Sequence, residues 1–228
     1  MALDYDRLQP ALAVARRIRG AAALFKVGSQ LFTSEGPRAV EKLAGLGFEI
    51  FLDLKFHDIP NTVAGAVCAA ADLPGVTLLT LHASGGTAMM RAAREVLAGR
   101  KTRPALLGVT VLTSLDAAAL RKIGMSGSTT SRAVALAKLA QEAGFDGVVS
   151  SAHEVRAIRQ ACGPKLLIVV PGVRPSSGAT NDQARVATPT MAIRAGANYL
   201  VVGRPITGAP DPREAAIAIA KEIESSGR

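Results

Sequence analysis

Apolar runs of β character alternate with runs of helical period eight times along the 228-residue chain. Residues rich in Val, Ile, Leu and Phe predict strands over 2–4, 24–28, 49–55, 76–82, 105–112, 147–150, 166–171 and 199–203. Between them, apolar residues at helical spacing predict helices over 6–19, 34–46, 61–72, 85–98, 131–143, 153–161, 188–195 and 212–225. Cap and turn residues mark several starts, such as Ser34-Glu35-Gly36-Pro37, Gly85-Gly86-Thr87 and Asp211-Pro212. Gly20, Gly99, Gly144 and Gly163 mark ends. Eight βα units of roughly 28 residues, with no linker between them, predict one (β/α)8 barrel as a single domain over 1–228. An open doubly wound sheet is the alternative, but no G-x-G-x-x-G turn follows the first strand.

The polar positions that break this pattern are not scattered. The stretch FLDLKFHDIPNT, residues 51–62, places Asp53 and Lys55 inside an apolar strand. Alternation puts them on one face and Leu52, Leu54 and Phe56 on the other. Opposite charges there are costly unless paired. Asp58 follows, giving D-x-K-x-x-D before Pro60 opens a helix. A structural ion pair at a strand end would account for that motif alone. However, Asp4, Lys26, His82, Thr113, Ser114 and Arg204 also stand at or just past strand ends, and the strand starts carry nothing comparable. In a parallel barrel all those ends share the face where active sites form. On that face, Pro171-Gly172-Val173-Arg174 leads into a polar stretch, and Gly203-Arg204-Pro205 offers a bare N–H beside a guanidinium. These two loops suit a phosphate.

Charge and composition narrow the partners. Lys and Arg exceed Asp and Glu by 27 to 18, a net +9, yet the basic residues are spread over helices and aromatics reach only 4%. This reads as a solvated basic exterior that steers a small anion, with no nucleic-acid partner. No apolar run suits a membrane span, and no signal pattern opens the chain, so a cytoplasmic protein without membrane contact is expected. Cys68 and Cys162 sit in apolar helical surroundings and read as reduced core residues. His57 faces away from Asp53 and Lys55 by alternation, and His153 and the Met89-Met90 pair read as structural.

The stretches ALDYD (2–6), FKVG (25–28), FLDLKFHDIPNT (51–62), LHASGG (81–86), VLTS (111–114), SSAHE (150–154), VPGVRP (170–175), NDQARVATP (181–189) and VVGRPIT (201–207) together resemble the orotidine 5′-phosphate decarboxylase family over nearly the full length. The resemblance implies a (β/α)8 barrel that converts orotidine 5′-phosphate to uridine 5′-phosphate and carbon dioxide, in pyrimidine biosynthesis, with no metal and no cofactor. Lys55 resembles the proton donor, within a charge network of Lys26, Asp53, Lys55 and Asp58. The resemblance implies a homodimer in which Asp58, Ile59 and Thr62 reach across the interface. Asp4 and Lys26 match positions that hold the ribose hydroxyls, and Thr113 or Ser114 the contact to the pyrimidine. Arg174, Gln183, Gly203 and Arg204 match the phosphate side. The chain departs from the family pattern in beginning its first strand almost at residue 1.

The chemistry asks for such residues independently. Loss of carbon dioxide from C6 of a pyrimidine leaves an in-plane carbanion that the ring delocalises poorly, so the site must stabilise it electrostatically and then protonate it. A magnesium-dependent sugar-phosphate decarboxylase or aldolase of the same superfamily keeps a D-x-K-x-x-D pattern, but Lys26 and the LKFHDIP context favour the pyrimidine enzyme. A non-catalytic nucleotide-binding module would be expected to have lost one of the four charges, and all four are present.

Overall fold

Seven parallel strands lie side by side in chain order: β1 (Phe25–Gly28), β2 (Ile50–Phe56), β3 (Val76–His82), β4 (Ala105–Val109), β5 (Gly147–Val149), β6 (Leu167–Pro171) and β7 (Tyr199–Val201). The computed structural model describes residues 1–175 and 187–226. Parallel neighbours need crossovers, and helices supply them. They are α1 (Leu8–Arg17), α2 (Ser29–Glu35), α3 (Pro37–Ala44), α4 (Pro60–Ala71), α5 (Gly86–Glu95), α6 (Ala117–Lys122), α7 (Thr129–Glu142), α8 (Val155–Cys162), α9 (Pro189–Ala195), α10 (Arg204–Thr207) and α11 (Pro212–Glu224). No helix among the described residues is long and apolar enough to cross a membrane.

The eighth expected strand, over 2–4, is reduced to a single bridge between Ala2 and Lys26. That bridge still spans the gap between β1 and β7. The Ala2 N–H donates to Val202 O at 2.7 Å, the Leu3 N–H to Lys26 O at 3.0 Å and the Lys26 N–H to Met1 O at 2.7 Å. Three residues thereby close the ring, which a regular strand would otherwise do. The other corrections are local. The helix expected over 34–46 starts at Pro37, and a separate, unforeseen helix α2 ends at Glu35, because Gly36 at φ 62° lets the chain turn between them. The strand expected over 105–112 ends at Val109, and the short helices α6 and α10 lie where loops were expected.

Period-two alternation produces two apolar layers. Phe51, Leu78, Leu107, Val109, Val149 and Val169 fill the barrel interior. Ile50, Leu52, Leu79, Leu81, Leu106, Val148, Ile168 and Val170 pack outward against the helices. At the opposite end from the site, Arg103 forks onto Asp146 through contacts of 2.7 and 2.8 Å, and the Leu106 N–H donates to the same carboxylate at 2.8 Å. Burial alone would raise the Asp146 pKa, but the guanidinium and the N–H outweigh it and hold it below the ordinary range. A depressed folded-state pKa contributes stability above the ordinary carboxylate pKa, and that stability is lost as pH falls through the lowered value. Asp146→Asn should therefore cost about 1.5–3 kcal/mol in urea denaturation at pH 7. The cost should shrink in acid as wild-type Asp146 protonates.

Candidate active site

Four charges meet at the C-terminal mouth of the barrel. The Lys55 ammonium lies 2.8 Å from Asp53 Oδ1, and Lys26 Nζ lies 3.4 Å from Asp53 Oδ2 and 3.1 Å from Asp4 Oδ1. Lys26 Nζ would be only 2.8 Å from a Cβ built on Gly28, so any side chain there would displace the ammonium. The glycine keeps that space open. Asp53 is 7% exposed. Burial pushes its carboxyl up, but Lys26, Lys55 and the Thr80 hydroxyl outweigh that and leave its pKa lowered. The carboxylate is thus the charged form that both lysines need, and it persists until pH falls through that lowered value.

The strand delivers Asp53 and Lys55 by an irregularity. Leu52 pairs with Leu79 and Phe56 with Leu81, so residues 53–55 of β2 stand opposite Thr80 alone. To fit, Lys55 adopts φ 52°, the one positive φ at a non-glycine among the described residues. A left-handed conformation of this kind costs roughly 1–3 kcal/mol and persists only where surrounding contacts hold it. Here the Lys55 N–H donates to Thr80 Oγ1 at 3.0 Å. Alternation foresees Asp53 and Lys55 on one face but not the bulge between them.

Two cavities share this floor. One, of about 200 Å³, is lined by Lys26, Asp53, Lys55, Thr113 and Ser150, with Phe51, Val109, Val111, Leu112, Val149, Pro171 and Val201 as apolar walls. The other, of about 290 Å³, is lined by Asp4, Lys26, Asp53, Arg174, Gly203 and Arg204 among others. Lys26 and Asp53 line both, so the two compartments adjoin at these charges. Thr113 and Ser114 are exposed and also border a polar cavity of about 630 Å³. Arg204 is exposed, Arg174 is half-buried, and Gln183 lies outside the described residues.

Asp58, Ile59 and Thr62 stand apart from this cluster. All three are exposed, Ile59 at 66%. Asp58 makes no ion pair among the described residues, and its carboxylate accepts the Ile59 N–H at 2.6 Å. His57 is also exposed, with its ring 5.3 Å from that of His82. Burial, helped by His57 and Lys55 and opposed by Asp53, lowers the His82 pKa and favours the neutral imidazole.

Sequence reasoning missed Thr80, Ser150 and Glu154. Thr80 is fully buried and donates to Asp53 Oδ1 at 2.9 Å. Glu154 is 5% exposed and accepts the Ser150 hydroxyl at 3.0 Å and the Ser151 N–H at 3.1 Å, pinning the turn after β5. Burial raises the Glu154 pKa, against those two hydrogen bonds. The one signal for Thr80 in the sequence is a hydroxyl in mid-strand, away from the strand ends where the other polar residues gather.

The chain matches, over residues 1–219, the family model described as orotidine 5′-phosphate decarboxylase / HUMPS family. It is 53% identical over 225 residues to orotidine 5′-phosphate decarboxylase of Nitrosococcus oceani, covering 99% of this chain and 97% of that one. It is 52% identical over 227 residues to the protein of the same name from Halorhodospira halophila, covering 100% and 96%. Among solved structures, orotidine 5′-phosphate decarboxylase from Lactobacillus acidophilus superposes with a TM-score of 0.85 at 39% identity, covering 97% of this chain and 96% of that one.

Proposed function

The chain belongs to the orotidine 5′-phosphate decarboxylase / HUMPS family, and we propose that it removes the carboxylate of orotidine 5′-phosphate as carbon dioxide, leaving uridine 5′-phosphate, with Lys55 as the proton donor. This is a carboxy-lyase reaction of pyrimidine biosynthesis. The family description joins two groups, and the relatives about half identical to this chain carry the first name.

The observation that carries the residue roles is the Lys26–Asp53–Lys55 chain at the junction of the two cavities. The pyrimidine takes the apolar-walled compartment, with Thr113 or Ser114 at its edge. The ribose hydroxyls meet Asp4 and Lys26. The phosphate takes the adjoining compartment, against Arg174, the Gly203 N–H and Arg204; Gln183, which the resemblance implies for the phosphate side, lies outside the described residues. As the C6–carboxylate bond breaks, its electron pair stays on C6, and the Lys55 ammonium beside it stabilises the charge and then gives up a proton. Asp53 anchors that ammonium. Repulsion between Asp53 and the substrate carboxylate eases as carbon dioxide leaves. Phosphate binding energy, remote from C6, holds the ring in register. Asp58 finishes the network of the opposite subunit in a two-fold dimer, with Ile59 and Thr62 beside it. The exposure of all three and the lack of an ion pair on Asp58 among the described residues support that reading.

The direct test is to incubate the metal-stripped protein with orotidine 5′-phosphate and follow the loss of its absorbance. Turnover that survives EDTA is expected. Turnover abolished by EDTA and restored by magnesium would favour the sugar-phosphate chemistry instead. Arg204→Ala should weaken uridine 5′-phosphate binding by about 2–3 kcal/mol, the loss of charge-assisted hydrogen bonds to phosphate, with a smaller change in kcat. Isothermal titration and steady-state kinetics separate the two.

A further inference from the structure

Thr80 lies in the middle of β3, and its hydroxyl makes two contacts across to β2. It accepts the Lys55 N–H at 3.0 Å and donates to Asp53 Oδ1 at 2.9 Å. That same Asp53 oxygen holds the Lys55 ammonium at 2.8 Å. One hydroxyl therefore ties down the backbone of Lys55 and the carboxylate that aims its side chain. In a regular parallel ladder the Lys55 N–H would meet a main-chain carbonyl of the neighbouring strand. The register shift removes that option, since residues 53–55 face Thr80 alone. Thr80 Oγ1 takes the place of the missing carbonyl, fully buried and beyond the reach of water.

We infer that Thr80 is a positioning residue for the decarboxylation: its hydroxyl holds the β2 bulge in the form that brings Lys55 onto Asp53 at the reacting carbon. This rests on the reading of Lys55 as proton donor. Valine has nearly the shape of threonine and neither accepts nor donates. In Thr80→Val the part-buried Lys55 N–H loses this acceptor, and the left-handed backbone at Lys55 loses the hydrogen bond that steadies it. The ammonium shifts away from C6, while the phosphate and ribose contacts, on other strands, are untouched.

The experiment compares Thr80→Val, Thr80→Ala and Thr80→Ser for kcat, KM, uridine 5′-phosphate affinity and melting temperature. Thr80→Val and Thr80→Ala should lose about 100-fold in kcat, the order expected from an ångström-scale misplacement. Product affinity should stay within about twofold, and Thr80→Ser, which keeps the hydroxyl, should retain kcat within about threefold. A crystal structure of Thr80→Val should find Lys55 out of the left-handed region. A purely structural role would lower the melting temperature and leave kcat per folded molecule unchanged. That outcome would overturn the inference, as would a Thr80→Ser variant as impaired as Thr80→Ala. Should Thr80→Val not fold, Thr80→Ala and Thr80→Ser alone decide. Lys55→Ala, run alongside, keeps the two readings apart: if it retains turnover the donor assignment fails, and if only the Thr80 variants retain it the positioning role fails.

Discussion

Lys55→Ala should lose decarboxylation by about 10⁴-fold or more while still binding uridine 5′-phosphate. General-acid catalysis contributes roughly 10²–10⁴ and a preorganised electrostatic donor roughly 10²–10³, and here one ammonium supplies both. Removing it also leaves Asp53 with Lys26 as its one remaining ion-pair partner among the described residues. Lys26 and the Thr80 hydroxyl still contact Asp53, but the pocket loses one positive charge beside the substrate carboxylate. Substrate affinity should therefore fall more than product affinity, since only the substrate carries that carboxylate. Steady-state kinetics with orotidine 5′-phosphate and titration with uridine 5′-phosphate provide the comparison. Near-normal turnover in Lys55→Ala would remove Lys55 from the proton-donor role.

Mixing Lys55→Ala and Asp58→Ala chains, each nearly inactive alone, should restore roughly a quarter of wild-type activity. Asp58 lies beyond the end of β2 and is exposed, just before Pro60 opens α4. In a two-fold dimer the same patch serves both subunits. A mixed dimer then has one pocket with both defects and one pocket with intact Lys55 and intact Asp58. Random assortment makes about half the dimers mixed, each with one of two sites restored, which gives about a quarter. The chains are co-expressed or refolded together, and mass spectrometry measures the heterodimer fraction. Heterodimers present without recovery would assign Asp58 to the pocket of its own chain.

Periodicity alone located seven of the strands to within a few residues, because a strand that must bury both faces or alternate them carries its pattern in its own composition. The same logic put Asp4, Lys26, Asp53, Lys55, Thr113, Ser114 and Arg204 at strand ends on a common face, since parallel βα units leave no other arrangement. The family, too, was legible from short stretches quoted in order along the chain. Residues 2–4 were less legible: whether they form a strand or a bridge depends on hydrogen bonds with Val202 and Lys26, whose carbonyls accept the Ala2 and Leu3 N–H groups, and no local pattern encodes these. Nor did the sequence carry the bulge. Alternation over 51–56 is consistent with a straight strand, and only the pairing of Phe56 with Leu81 forces residues 53–55 to face Thr80 alone. From that pairing follow the left-handed backbone of Lys55 and the need for a buried hydroxyl opposite it. The sequence by itself determined which chemical groups the protein has and which face they share, because those follow from periods within one segment. The tertiary structure decided how they are held, because register, burial and the Asp53 charge state depend on contacts between segments far apart in the chain.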